Sequence, residues 1–169
     1  MPIANTDIQY RLSGGSANSD EDASLGGVKS SVSIVTATAN NFFDAASSAE
    51  TSAGDVEYRC FYVHNDHGSL PLQNAKIWLT ANTASADTTI DIGVGTAAIN
   101  GTEQTVANES TAPASVTFSS PATEGAALSL GTIPAGQHKA VWVRRTISAA
   151  AAAFTDDAAT FRVKGDTAA

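Results

Sequence analysis

The sequence predicts an all-β protein, an immunoglobulin-like two-sheet sandwich with an extended N-terminal arm. Three observations predict it. Apolar and polar residues alternate with period two in several runs between Asp55 and Val163. Turn residues such as Asn100-Gly101 and Pro134-Ala135-Gly136 separate those runs. Helix signals are confined to residues 40–52 and the alanine run at 148–154.

Taken in order, residues 1–30 begin with an alternating strand, Ile8, Tyr10 and Leu12, and continue as SGGSANSDEDASLGG. The Gly, Ser, Asn and Asp of that tract read as loop. So long a structureless connection is unusual inside a compact domain, so residues 1–30 are expected to form an arm or docking segment ordered by a partner. Residues 31–54 are expected to hold a strand at 32–38, with Val32 and Ile34 on one face, and a short helix within 40–52 anchored by Phe42 and Phe43.

The sandwich domain is expected to span residues 55–169. Its first strand, DVEYRCFYV, places Val56, Tyr58, Cys60 and Tyr62 on a core face; Glu57, Arg59, Phe61 and Val63 share a partly covered one. KIWLTA, TTIDIGVG, SVTFSS, a brief strand at LSL, HKAVWVRRTI and ATFRVKG complete seven strands, a count that fits a sandwich. A jelly roll is the alternative. Tyr58, Cys60, Trp142 and Phe161 are expected in the core.

Seventeen acidic residues face nine Lys and Arg, a formal charge of -8. That balance opposes nucleic-acid binding, which needs basic surface to displace counterions, and it opposes a membrane-surface helix. No apolar run approaches the roughly 20 residues of a spanning helix. The opening MPIANTDIQYRLSGG has neither the basic region nor the apolar stretch of a secretory signal, so synthesis and initial residence in the cytoplasm are expected. The single cysteine, Cys60, excludes an intrachain disulfide framework and reads as a small core residue.

Two small constellations invite a metal. His64 and His67 flank Asp66 at a spacing that suits imidazole ligands, but a catalytic zinc normally takes three protein ligands, so the group reads as a solvated turn. Asn18, Asp20, Glu21 and Asp22 lack the alternating ligand spacing of a calcium loop and read as a polar turn, as do Asp156 and Asp157. No serine- or metal-hydrolase motif and no phosphate loop is present. The expectation is therefore no catalytic residue, no cofactor and no metal. Arg144 and Arg145 point to opposite faces of a strand, where they serve either as a docking contact or as intradomain partners of Asp55 or Glu57. Trp78 and Trp142 read as core or interface filling.

The stretches IQYRLSGGSANSDEDASLGG, EYRCFYVHN with LPLQNAKIWLT, and LSLGTIPAGQHKAVWVRRTI resemble tailed-bacteriophage virion structural proteins with an immunoglobulin-like β domain. The resemblance implies a non-enzymatic protein located in the virion and assembled in the host cytoplasm, as a capsid decoration or cement, head fibre, neck or tail component. Its partners would be other virion structural proteins, the major capsid protein among them, with a homotrimer or another homo-oligomer as the self-assembled form. Ile8, Tyr10 and Leu12 would then attach by adding a strand to a partner's sheet, with Arg144 and Arg145 as further contacts; the competing reading pairs Ile8 to Leu12 with the protein's own sandwich as its first or edge strand. The alternative is a carbohydrate-binding or adhesive module, marked by an exposed Trp78 or Trp142. An enzyme built on His64 and His67 ranks third.

Overall fold

The computed structural model describes residues 2–167; Met1 of the expected arm and residues 168–169 of the expected sandwich lie outside them. Among the described residues nine strands run in chain order: β1 (Ile8–Leu12), β2 (Gly26–Gly27), β3 (Asp55–Asn65), β4 (Leu72–Ala81), β5 (Thr88–Val94), β6 (Glu103–Thr105), β7 (Leu128–Ile133), β8 (His138–Ile147) and β9 (Thr160–Asp166). An α-helix, α1 (Ser48–Ala53), precedes β3. The all-β sandwich expected from the sequence is what forms.

A four-stranded sheet in the order β1-β3-β8-β5 packs on a three-stranded sheet in the order β7-β4-β9, all antiparallel. With β1, β3, β5 and β8 read as strands A, B, D and E, the first sheet has the A-B-E-D order of an immunoglobulin-type sandwich. The β4–β9 pair occupies the place of C and F, and β7 flanks β4 on its other side.

The main core fills the space between these sheets. Phe61, Val63, Ile90, Ile92, Val141 and Val143 from the first sheet meet Leu72, Ile77, Leu79, Leu130 and Ile133 from the second. A second, smaller core lies on the other face of the first sheet, around Cys60, Tyr62, Ala140 and Trp142. It is covered by the β2–β6 ribbon, Leu25 and Val106, with Val116 and Phe118 packed alongside. From Cys60 to Val63, β3 is thus apolar on both faces because both are covered. The larger core lies on the Phe61 and Val63 side, the face expected from the sequence to be only partly covered.

At the N-terminus the competing reading is the one that forms. Ile8–Leu12 pairs residue by residue with Phe61–Asn65, as an edge strand of the protein's own sheet. Residues 30–34 then return along the free side of β1, where Leu12 N–H donates to Val32 O (3.0 Å) and Ile34 N–H to Tyr10 O (2.8 Å). The Gly- and Ser-rich tract between them is held by its serines. Ser13 Oγ donates to Cys60 O and accepts from Gly26 N–H, while Ser24 O accepts from Cys60 N–H. Ser13, Ser24 and Ser30 are buried. The apolar outer face of β3 and β8 needs a cover, and this tract supplies it.

Smaller departures follow from the same packing. Residues 32–38 contribute an isolated Arg11–Ser33 bridge in place of a strand. Phe42 and Phe43 lie outside α1; Phe42 joins the main core edge-on to Phe61, and Phe43 packs against that core. SVTFSS makes only the Ser119–Ile92 bridge. The alanine run is irregular, with Ala150 at φ 59°. Cys60 and Trp142 are fully buried as expected, whereas Tyr58 and Phe161 are half-buried. The turn at Pro134 forms as read, with Gln137 N–H donating to Pro134 O and Gly136 at φ 73°.

Candidate docking site

One end of the four-stranded sheet gathers charge that two covered faces would ordinarily exclude. Asp55, Glu57 and Arg59 share the β3 face of Phe61, and the β3–β8 register sets Glu57 opposite Arg145. Glu57 and Arg59 are both 1% exposed. Buried charges persist only when paired, and here they are. Arg145 Nε donates to Glu57 Oε2, and Arg145 Nη1 donates to Asp44 O at 2.6 Å. Arg59 Nη2 lies 2.7 Å from Asp22 Oδ1, 2.6 Å from Glu109 Oε2 and 3.9 Å from Asp44 Oδ1. The Phe43 ring stands by both guanidiniums, 4.8 Å from Arg145 Cζ and 5.8 Å from Arg59 Cζ, within the range of a cation–π contact. Burial pushes the Glu57 carboxyl above its ordinary range; Arg145 opposes this, and Glu109 and Asp44 reinforce it.

Arg59 forms the floor of an open recess of about 270 Å³ lined by Asp22, Leu25, Asp44, Ala107, Asn108 and Glu109. Three carboxylates surround one guanidinium, and the Asp22 and Asp44 side chains remain more than half exposed. The recess therefore presents excess negative charge to solvent. A second recess, of about 360 Å³, shares Leu25 with the first. Gly14, Gly15, Gly26 and Gly27 line it, together with Val28, Thr105 and Val106. Gly26 is required there: its φ is +92°, and a Cβ would sit 1.8 Å from Gln104 O and 3.1 Å from the Trp142 ring. Val28 is 48% exposed on this surface.

The residues singled out in the sequence fall elsewhere or take other roles. Ile8, Tyr10 and Leu12 pack against the main core within β1. Arg144 is held by Asp91 (Nη2–Oδ2 2.7 Å) and stacks over Phe118, while Arg145 pairs with Glu57. Arg145 thus makes the Glu57 pair that was the alternative to docking, while Arg144 takes Asp91, a partner outside the expected Asp55 and Glu57. Asp22 joins the recess. Asn18 and Asp20 cap their own turn, each accepting a backbone N–H two residues on. Trp78 and Trp142 are 5% and 0% exposed, so neither offers a ring face to a sugar. Asp157 Oδ1 accepts the N–H groups of Ala84 and Ser85.

His64 and His67 do not converge on a common ligand position. His64 ends β3, with Nδ1 3.1 Å from Gln137 O and Nε2 3.3 Å from Asp66 Oδ1. His67 Nδ1 accepts from Ser69 and Leu70 N–H. His64 instead faces His138 across the β3–β8 pair. Burial, reinforced by Lys29, depresses the pKa of His138 to about 4, and it lowers that of His64. The unfolded His138 ring takes its proton near 6.5 and the folded ring near 4, so between those values the unfolded chain binds more protons. Stability should fall as pH drops through this window, by about 2 kcal/mol from His138 after discounting its partial exposure. Urea unfolding at neutral and mildly acidic pH measures it. His138→Phe should remove most of the slope, and an unchanged slope would assign it to other groups.

The recess was not legible because Asp22, Asp44, Arg59 and Glu109 come from four distant segments. The usable signal was Glu57 and Arg59 inside a strand otherwise apolar on both faces: charges so placed demand partners. No protein-family model matches the chain, and neither a curated protein nor a solved structure does.

Proposed function

We propose that this chain is a non-enzymatic structural protein of a tailed-bacteriophage virion, a capsid-associated decoration or fibre component that docks onto another virion subunit. The observation that carries the docking part is the pair of adjoining recesses, one acidic and one apolar, that share Leu25. Together they fit a partner loop bearing Lys or Arg beside an aliphatic side chain. The cation would meet Asp22, Asp44 and Glu109, and the aliphatic group would lie along Val28 and the glycine-lined floor. Charge complementarity of this kind sets register and speeds encounter, while the apolar contact supplies desolvated area. The major capsid protein is the partner of first choice, given the sequence resemblance to virion proteins.

The test has two parts. Mass spectrometry of purified particles from the source should find the chain in fixed stoichiometry with the shell protein. Co-sedimentation of the purified chain with shells lacking it should show binding that weakens with added salt. Asp22→Asn and Val28→Glu should each reduce that binding by roughly tenfold, about 1.4 kcal/mol. A chain missing from particles and unbound by shells would overturn the virion reading. Binding that neither substitution affects would overturn the docking site.

A further inference from the structure

We propose that Glu50, Asp55 and Glu57 form a site for a hard divalent cation, Ca²⁺ being the best fit, at the junction of α1 and β3. One carboxylate oxygen from each residue lies within 4.8 Å of the others. Three oxygens this close have a point within about 2.8 Å of each, so a small side-chain adjustment brings all three within the roughly 2.3–2.6 Å of a Ca²⁺–oxygen bond. Local structure makes the arrangement. Asp55 and Glu57 are two residues apart in β3 and so share a face. Gly54, at φ 78°, ends α1 and leads directly into that strand, while Glu50 sits in the helix's first turn.

A second observation points to a ligand. The Glu57 side chain is 1% exposed, and its Oε2 receives Arg145 Nε, but its Oε1 has no hydrogen-bond partner. A buried carboxylate oxygen left unpaired is costly. Glu57 belongs to a cluster of three acids on which, among the described residues, Arg145 is the one ion-paired cation, so a further positive charge supplies what is missing. The donors are all carboxylate oxygens, which select Ca²⁺ or Mg²⁺ over softer metals, with water completing the shell. Binding would also serve the fold. α1 buries none of its residues, and an ion bridging Glu50 to β3 would pin it to the sheet. The site takes no ligand from Asp22, Asp44 or Glu109, although Arg145 links its Glu57 to Asp44 at the recess.

Calorimetric titration of the full chain with Ca²⁺, beside thermal unfolding with and without the ion, tests this. One ion per chain and a Tm raised by several degrees are expected. Glu50→Gln and Asp55→Asn should each weaken Ca²⁺ affinity roughly tenfold or more, since ligand charge tunes such sites. Both residues are half-buried, and glutamine at position 50 keeps the helix's capping box, so the variants should fold without the ion. Asp22→Asn should bind Ca²⁺ like the original chain. Absence of binding heat and of a Tm shift with either Ca²⁺ or Mg²⁺ would overturn the proposal. Undiminished affinity in Glu50→Gln and Asp55→Asn, or its loss in Asp22→Asn, would do so equally by placing the ion elsewhere.

Discussion

Arg145→Ala is expected to lower the unfolding free energy by about 3–5 kcal/mol at neutral pH, the cost of removing one member of a buried ion pair. Glu57 is 1% exposed and meets Arg145 Nε, so the substitution leaves a carboxylate in a site that cannot hydrate it. Asp44 loses a guanidinium that donates to its carbonyl, and Phe43 loses the closer of its two cationic neighbours. The pH dependence identifies the cause. Without Arg145, the folded-state pKa of Glu57 rises further above the ordinary carboxylate value, so the folded variant binds more protons than the unfolded chain over that window. Its stability relative to the original chain should recover as pH falls toward that ordinary value, because the neutral acid no longer needs a countercharge. Urea unfolding in the presence of a chelator measures both effects. A loss below about 1 kcal/mol would mean that the pair behaves like an exposed one, and a deficit independent of pH would assign it to packing.

Trp142→Ala should cost about 3–5 kcal/mol, the range for truncating a large packed aromatic side chain. Trp142 is the largest fully buried side chain. It lies at the centre of the second core, beneath the β2–β6 ribbon and against Gly26. Its removal would leave a cavity that Cys60, Ala140 and Val106 are too small to fill. Trp142→Phe should cost less than half as much. It retains an aromatic ring and deletes a buried indole N–H that has no hydrogen-bond partner. Chemical unfolding of the two variants tests the pair of values. A phenylalanine variant as unstable as the alanine one would show that the indole N–H finds a partner, such as a buried water.

The sequence by itself determined the fold class and most of the long strands. β3, β5, β8 and β9 each carry a period-two pattern, and that pattern is local, readable from neighbours in the chain. The turn at Pro134-Ala135-Gly136 and the burial of Cys60 and Trp142 were legible for the same reason. Only the tertiary structure decided the fate of residues 2–34. Their Gly, Ser and Asn have little tendency to order alone, yet they line and cover the second core because β3 and β8 present Cys60, Tyr62 and Trp142 outward. β2 and β6 are two and three residues long, too short to leave a pattern. The acidic recess and the Glu50, Asp55 and Glu57 cluster were likewise decided by packing. Local periodicity says which face a side chain occupies, but which distant segment meets that face is set when the sheets close over a shared core, and electrostatic partners are chosen only then.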